Sequence, residues 1–567
     1  MWSKPLLRRT STGAGAWPAV ALFVVLVGFL ALTDSNGFLS TDVGGKVATL
    51  EAMTQRGDLV PDLGYWAESS DPDGDLYPMW STAHIGDKWV NVTSLPMLYL
   101  ALPLYSLSGA KLAGLLPVLG TVLAALGARR LSEELGGRGA LAFWIVGLGS
   151  PATIYALDLW EHSLGLACMV WATWFSLRAS RHEGRWNAAL AAGVLFGLAA
   201  TMRQEAMIYG FVAGVALVSR LLASRQGRAT VTRGLLMSGG FVAITAANAM
   251  VEDWVIGGAT RTGRGAGTAV AAGRDITVRL REAIMTFGSP SASSDTPSLL
   301  VSLVLVALLV ELGRRAQRSG QSGTADLRPV LIGLGAVVAA TVVDLLTDGL
   351  RFIPGMIATT PVTALGLAAL LSGQRSLDLP AWGDRRFVGA VAVVSLPLVW
   401  AVQYTGGAAP QWGGRYILLS GALLVTVAVA SFDTVRSRRV LRAVALAGLA
   451  VTMLGVGWTT HRTRSFASAM QTLAEHDPGV LVFSDSHLAR EGGALAYGAP
   501  WLAAEYEEGR ATAAVVLDDL EITRIAFVQR DTGEAPFVIP GWTVEAREQV
   551  PLVNGLALLV TTQSLRP

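Results

Sequence analysis

Ser40-Thr-Asp-Val-Gly-Gly-Lys-Val-Ala-Thr-Leu-Glu-Ala-Met53 follows the first long apolar run of the chain, Trp17 to Leu32, after a turn-like stretch that holds Asp34. Asp42 is the first acid to open a helical pattern, and Lys46 follows at i+4, so both point the same way on a helix. Val47, Leu50 and Met53 recur at helical spacing on a neighbouring face. The stretch reads as a short amphipathic helix lying on a bilayer surface, with an acid at its start. A plainer reading is that Thr41 or Asp42 simply caps a loop helix.

The surrounding composition places this helix beside a membrane. Of 567 residues, 52% are hydrophobic and 15% charged, whereas a soluble domain carries about 25% charge. The charges cluster between long apolar runs, the mark of a polytopic helical membrane protein. A net charge of +2 argues against nucleic acid as a partner. The first run follows Lys4, Arg8 and Arg9 without an evident small-residue cleavage site, so it reads as a retained helix rather than a signal peptide. Cys168 is the single cysteine, which excludes an internal disulfide and a thiolate metal site. Abundant Ala, Gly and Arg with scarce Lys suggest a high-GC bacterium.

Outward from Asp42 the polar segment 34–92 has no run of spanning length, and it carries the acids Asp71, Asp73 and Asp75. Apolar residues 92–107, interrupted by Pro96 and Pro103, are short for a span and read as re-entrant or surface-lying. Further runs then alternate with basic clusters: Arg129-Arg130; Arg178 to Arg185 with His182; Arg225 to Arg233; Arg314 to Arg318; Arg375 to Arg386; and Arg436 to Arg442. These fall in every second loop, as a topology of about thirteen helices with a cytoplasmic N-terminus requires. Segments 34–92, 157–162, 203–205, 253–297, 347–351, 403–415 and everything after about residue 460 then share one outer face, with a surface helix expected around 275–287. Residues 1–460 form a membrane module. Residues 461–567 form a small extracytoplasmic α/β domain of about 90 ordered residues, with strand-like runs at 480–484, 513–517, 525–529 and 556–561. No repeat of fixed period is visible.

Ionisable residues at a membrane face are costly and count as functional candidates. On the outer face they converge: Asp42 and Lys46; Asp158, Glu161 and His162; Arg203 and Glu205; Arg415 and Tyr416. Each also has an ordinary reading. Residues 158–162 suit a polar loop, Arg203 and Glu205 a structural ion pair, and Arg415 a snorkelling anchor. Asp71, Asp73 and Asp75 offer oxygen ligands to a divalent cation, against the simpler reading of a solvated turn. Asn91-Val-Thr93 fits a glycosylation acceptor pattern. Asp485 and His487 read as loop residues. No glycine-rich phosphate loop joins a strand to a helix, so no nucleotide site is evident. The glycines spread through the apolar runs suit close helix packing.

The pattern resembles the integral-membrane glycosyltransferases of the GT-C type, a group of polyprenyl-phosphate-sugar-dependent enzymes that includes protein O-mannosyltransferases, mannosyltransferases and arabinofuranosyltransferases. The resemblance rests on Asp42 in the first outer loop and on Tyr155-Ala-Leu-Asp-Leu-Trp-Glu-His162. It rests also on Gly197-Leu-Ala-Ala-Thr-Met-Arg-Gln-Glu205 and on Gly413-Gly-Arg-Tyr416, which opens a late helix. It covers roughly residues 1–460. Many relatives carry a paired acid in the first loop, whereas Asp42 is followed by Val43. The resemblance implies an inverting transfer from a polyprenyl-phosphate-linked sugar donor to a glycan, lipid or protein acceptor, on the outer face of a bacterial plasma membrane. Such a transfer needs a base for the acceptor hydroxyl, the role expected of Asp42. It needs positive charge where the departing phosphate gains charge, expected of Arg415, Arg203 and Lys46. Asp158, Glu161 and His162 would orient hydroxyls or hold a metal, and Glu205 and Tyr416 complete the substrate-binding set.

Two other classes compete. A transporter or flippase of a lipid-linked sugar would show inverted repeats and broken helices at the midplane; the sequence displays neither. A non-catalytic scaffold that binds a wall polymer would not need acids clustered at the membrane face.

Overall fold

The computed structural model describes residues 16–566, apart from His182 and residues 259–275, 291–294, 323–325, 348–352, 373–378 and 403–410. The expected outer turn 347–351, most of 403–415, part of 253–297 and the basic residues His182 and Arg375 therefore lie outside the described residues.

Among the described residues, seven helices are long and apolar enough to cross a bilayer: Leu115–Glu134, Glu205–Ala223, Gly227–Ile256, Thr296–Ser319, Arg328–Thr347, Gly383–Val402 and Val435–Ala474. Shorter apolar helices accompany them at Trp17–Leu32, Gly139–Leu148, Trp186–Met202, Val362–Leu371 and Arg415–Ser431. Phe211, Leu235, Ile332 and Val343 stand exposed on this helical body. In water they would form a large apolar patch; against lipid they face their own kind. The chain is a polytopic helical membrane protein. The surface helix expected after residue 275 is present as Ile276–Gly288. Two apolar segments are interrupted where the sequence reading anticipated no break. Gly139–Leu148 restarts as Pro151–Tyr155, and Met356–Thr359 restarts as Val362–Leu371 after Pro361. Pro151 and Pro361 lack the N–H that a continuous helix would use.

The helix that begins the argument runs from Thr41 to Arg56. Ser40 caps it at the N-terminus, and left-handed Gly57 ends it. It does not lie open on a bilayer surface. Gly44, Gly45, Lys46 and Thr49 are buried along with Val43, Val47, Leu50 and Met53, because the C-terminal region covers its polar face. A Cβ at Gly44 would strike the carbonyl of Arg490, and one at Gly45 the Arg490 and Asn91 side chains. The Gly-Gly pair is what lets that close approach happen.

After this helix come a hairpin of β1 (Thr82–Ile85) and β2 (Lys88–Asn91) and the helix Leu95–Ala113, which is broken at Ser108 and Gly109. The last membrane helix, Val435–Ala474, has 40 residues, or about 60 Å of length. It runs straight through the expected boundary at 460/461 and carries a five-stranded mixed sheet. The strands are β3 (Leu481–Phe483), β4 (Trp501–Ala503), β5 (Arg524–Arg530), β6 (Trp542–Pro551) and β7 (Ala557–Leu565), in spatial order β4-β3-β5-β7-β6. Residues 513–517, read above as a strand, belong instead to the helix Tyr506–Asp519. Ala513, Val516 and Leu517 are buried on one of its faces, an i, i+3, i+4 spacing rather than an alternation.

The sheet does not fold over a private core. Leu63, Met79 and Trp89 of the first loop pack with Leu481, Phe483, Trp501 and Val528, and Ala67 and Leu76 pack with Val482, Leu502 and Phe527. The Ala503 N–H donates to the Leu76 carbonyl, and the Trp66 indole to the Trp501 carbonyl. First loop and tail thus form one body with a shared core, joined to the membrane helices.

Candidate active site

Asp42 occupies the first turn of Thr41–Arg56, where the helix dipole favours an anion. Its Oδ2 accepts from Arg415 Nη1 at 3.2 Å and its Oδ1 from Arg490 Nη1 at 3.1 Å. The Asp42 side chain is 33% exposed while those of Arg415 and Arg490 are 8% and 2% exposed. The carboxylate therefore sits at the mouth of the cluster, with two guanidinium groups behind it. Arg490 also donates from Nη2 to Asn91 Oδ1 at 2.7 Å. Burial draws the Arg490 pKa below its ordinary value, against the pull of Asp42; guanidinium is so weak an acid that it stays charged.

One turn further, Lys46 Nζ meets Glu161 Oε2 at 2.7 Å. Glu161 Oε1 lies 3.5 Å from Arg203 Nη1, and Arg203 Nε lies 2.9 Å from Glu205 Oε1. All four side chains are buried. Unit charges about 3 Å apart attract by roughly 5 kcal/mol at an effective dielectric of about 20, while each ion loses several kcal/mol of hydration. An isolated pair would barely balance. The alternating row of charges balances because each inner member has a partner on both sides.

Arg415 is positioned by backbone geometry. Gly413 and Gly414 take φ of 72° and 68°, a left-handed pair that side chains disfavour. A Cβ on Gly413 would also strike Pro151. The pair seats the Arg415 turn against both interrupted helices, and the Tyr155 hydroxyl ties it down by donating to the Trp412 carbonyl at 2.9 Å. The Arg415 guanidinium then lies over Tyr416 at 4.8 Å and near Trp160 at 5.6 Å, and Arg203 lies over the other side of the network at 5.1 Å from Tyr416. His162 stacks on Tyr155 at 4.7 Å and meets Trp160 edge-on at 4.3 Å.

Asp42, Lys46, Glu161, Arg203, Glu205, Arg415 and Tyr416 are thus joined in one continuous network, with His162 in its aromatic wall. Asp158 stands apart. It accepts from the Leu39 N–H at 2.7 Å and the Leu159 N–H at 2.9 Å, fastening the chain just ahead of Asp42. Burial pushes its carboxyl up to about 7. Arg462 grips the same chain from the other side, donating to the Phe38 and Leu39 carbonyls and pairing with Glu491 at 2.8 Å.

Asp71 is buried and serves its own loop, accepting from the Tyr65 hydroxyl and from the N–H groups of Asp75 and Leu76; Asp73 and Asp75 are exposed. Among the described residues no three His, Cys, Asp or Glu side chains are grouped to hold a metal ion. At Asp42 both carboxylate oxygens face guanidinium groups, which a divalent cation would have to displace. Asn91 is buried, with its amide donating to the Trp80 carbonyl and Thr82 Oγ1, so its nitrogen is not presented for glycosylation.

Arg490 escaped the sequence reading, which took Asn91 only as a glycosylation acceptor and gave Trp160, inside the 155–162 stretch, no role of its own. The sole local signal for Arg490 is an Arg-Glu pair before Gly492-Gly493, in a segment with no membrane character. Asp485 and His487, read as loop residues, flank it: Asp485 caps the helix Ser486–Arg490, and His487 stacks on Trp80 at 4.4 Å.

No protein-family model matches the chain, and no curated protein matches its sequence. Solved structures do match. ArnT from Cupriavidus metallidurans bound to undecaprenyl phosphate aligns over 96% of this chain and 98% of its own, at 14% identity and a TM-score of 0.43. The Archaeoglobus fulgidus oligosaccharyltransferase complexed with Zn and sulfate aligns over 89% of this chain and 67% of its own, at 13% identity and a TM-score of 0.48. AglB from the same archaeon, with an inhibitory peptide and a dolichol-phosphate, aligns over 90% of this chain and 69% of its own, at 10% identity and a TM-score of 0.45. Along nearly its whole length the chain is similar to ArnT, and over most of it to an archaeal oligosaccharyltransferase.

Proposed function

We propose that the chain is an inverting glycosyltransferase that moves a sugar from a polyprenyl-phosphate donor to a cell-envelope glycan, lipid or protein acceptor. We place its site at the outer face of a bacterial plasma membrane, with a cytoplasmic N-terminus, about thirteen spans and an extracytoplasmic C-terminal region. The alternation of basic loops supports that sidedness. The observation that carries the reading is the Asp42 carboxylate, partly open to solvent and flanked by Arg415 and Arg490, at the edge of a buried row of charges. Among Asp42, Lys46, Glu161, Arg203, Glu205, Arg415 and Arg490 there are four cations and three carboxylates. The surplus positive charge suits one anionic substrate group, such as a lipid phosphate.

The chemistry follows from this arrangement. The donor phosphate draws Arg415 toward itself and releases Asp42 Oδ2. That oxygen takes the proton of the acceptor hydroxyl as the acceptor oxygen bonds to the anomeric carbon from the opposite face. The bond from that carbon to the phosphate oxygen breaks, the electron pair leaves with the phosphate, and the guanidinium groups meet the developing charge. Arg490 keeps Asp42 aimed throughout. No step runs through a metal, since the Asp42 neighbourhood is cationic.

Sugar transfer from radiolabelled polyprenyl-phosphate sugars, measured in membranes containing wild type or Asp42→Asn at equal protein level, tests the reading. Transfer by wild type that is lost in the variant supports it. Wild-type activity that survives Asp42→Asn removes Asp42 as base. Flipping of the donor without transfer would move the chain to the transporter class.

A further inference from the structure

A second cleft opens in the joint body of first loop and tail, away from the row of buried charges. It has a volume of about 460 Å³ and lies between residues 74–82 of the first loop and the start of the helix Tyr506–Asp519. That volume is in the range of small-molecule sites. Tyr77, Trp80 and Tyr506 give it aromatic surface, while Asp75, Glu505 and Glu508 give it carboxylates. No Lys, Arg or His lines it among the described residues.

Its walls are held in place on both sides. Tyr77 stacks on Trp89 at 4.8 Å, and Trp89 stacks on His84 at 4.2 Å. Across the cleft, Glu505 accepts from the N–H and hydroxyl of Ser486. Four described residues other than glycine have a left-handed backbone, and two of them, Ser81 and Tyr506, line this one cleft. Such strain persists where the surrounding structure enforces it, and it gathers at ligand sites. In Tyr506 it accompanies a ring that is 82% exposed, an unusual place for a large aromatic side chain.

One wall residue of the cleft, Trp80, also packs toward the candidate active site. This side chain lines the cleft and also lies 5.8 Å from the Arg490 guanidinium, which holds Asp42 at 3.1 Å. Trp80 thus ties a wall of the cleft to the side chain that sets Asp42.

We propose that this cleft binds the acceptor, and that the acceptor is an uncharged saccharide chain. The proposal rests on the glycosyl-transfer reading above and adds the class of its acceptor. Sugar rings present apolar C–H faces that suit exposed aromatic rings, and hydroxyl groups that donate to carboxylates. The three carboxylates, with no lining cation, repel an anionic chain.

Binding is measured by calorimetry on the full-length protein in lipid nanodiscs, without donor, so that it does not depend on transfer. The probes are short linear neutral manno- and arabino-oligosaccharides, with an oligouronate of equal length as the anionic control. One neutral series is expected to bind saturably. Tyr506→Ala is expected to weaken it about tenfold and Glu508→Gln severalfold, with thermal unfolding unchanged because both side chains are exposed. In transfer assays Tyr506→Ala raises acceptor KM by about the same factor, while donor KM stays within about twofold. Binding in a protein that proves inactive with every donor supports the cleft and counts against the reaction. Equal affinity of wild type and Tyr506→Ala, tighter binding of the oligouronate, or no binding of any probe overturns the proposal.

Discussion

Asp42 and Arg490 are 448 residues apart in the chain, and their side chains meet at 3.1 Å. The proposed base thus takes half of its setting from the membrane helices, through Arg415, and half from the joint body of first loop and tail, through Arg490. The C-terminal region is thus part of the candidate site rather than an appendage to it.

Replacing Arg490 should therefore act like an active-site change. Arg490→Ala is expected to lower kcat for sugar transfer by about a hundredfold, the scale of losing one preorganised charged donor. Arg490→Lys should recover part of the loss, since it keeps the charge but not the fork that reaches both Asp42 and Asn91. Parallel kinetics on the two variants at matched protein level check this. Equal activity of Arg490→Ala and wild type would detach the body of first loop and tail from the reaction.

The row of buried charges makes a separate prediction about stability. Glu161→Gln leaves Lys46 and Arg203 buried without their shared carboxylate, and breaking such a pair costs about 3–5 kcal/mol. The double variant Lys46→Met with Glu161→Leu should regain much of that stability while remaining inactive. Thermal unfolding and transfer assays on the single and double variants separate the two effects.

Gly413→Ala should impair function through backbone geometry. A left-handed non-glycine residue costs about 1–3 kcal/mol, and the added methyl meets Pro151. The Arg415 turn must shift, so transfer is expected to fall at least about tenfold while the protein still inserts. Donor KM that rises more than acceptor KM would locate the damage at the phosphate.

Asp158 supplies a pH signature. Its carboxyl is raised from 3.8 to about 7 by burial, so the folded state holds this proton more tightly than the unfolded one. The stability from that proton is fully present below the unfolded value. It diminishes as pH rises and is gone once pH passes about 7. Asp158→Asn should abolish this component, giving a flatter dependence of unfolding temperature between about pH 4 and 7. Unchanged slopes in the variant would reassign the titration to another group.

Much of this was legible in the chain. Apolar runs separated by arginine clusters dictate membrane helices, because a bilayer accepts only satisfied backbone and few charges. The same cost makes Lys46, Glu161, Arg203, Glu205 and Arg415 conspicuous, since ionisable residues at the edges of apolar helices are retained only where something holds them. Asp42 stood out for the same reason. The tail was harder to read: 513–517 has strand-like composition, but its helix is decided by which face meets the sheet.

The sequence by itself therefore determined the polytopic helical membrane class and most of the polar residues that converge. Only the tertiary structure decided how they connect. Arg490 lies in a short helix, Trp80 in a loop and Asn91 at the end of β2, and no local pattern marks them for this site. They come together because the first loop and the tail bury a shared apolar core, Leu76 and Leu502 in one cluster and Trp89 and Trp501 in another. That burial is non-directional and acts between segments hundreds of residues apart, so it leaves no periodic trace in either one.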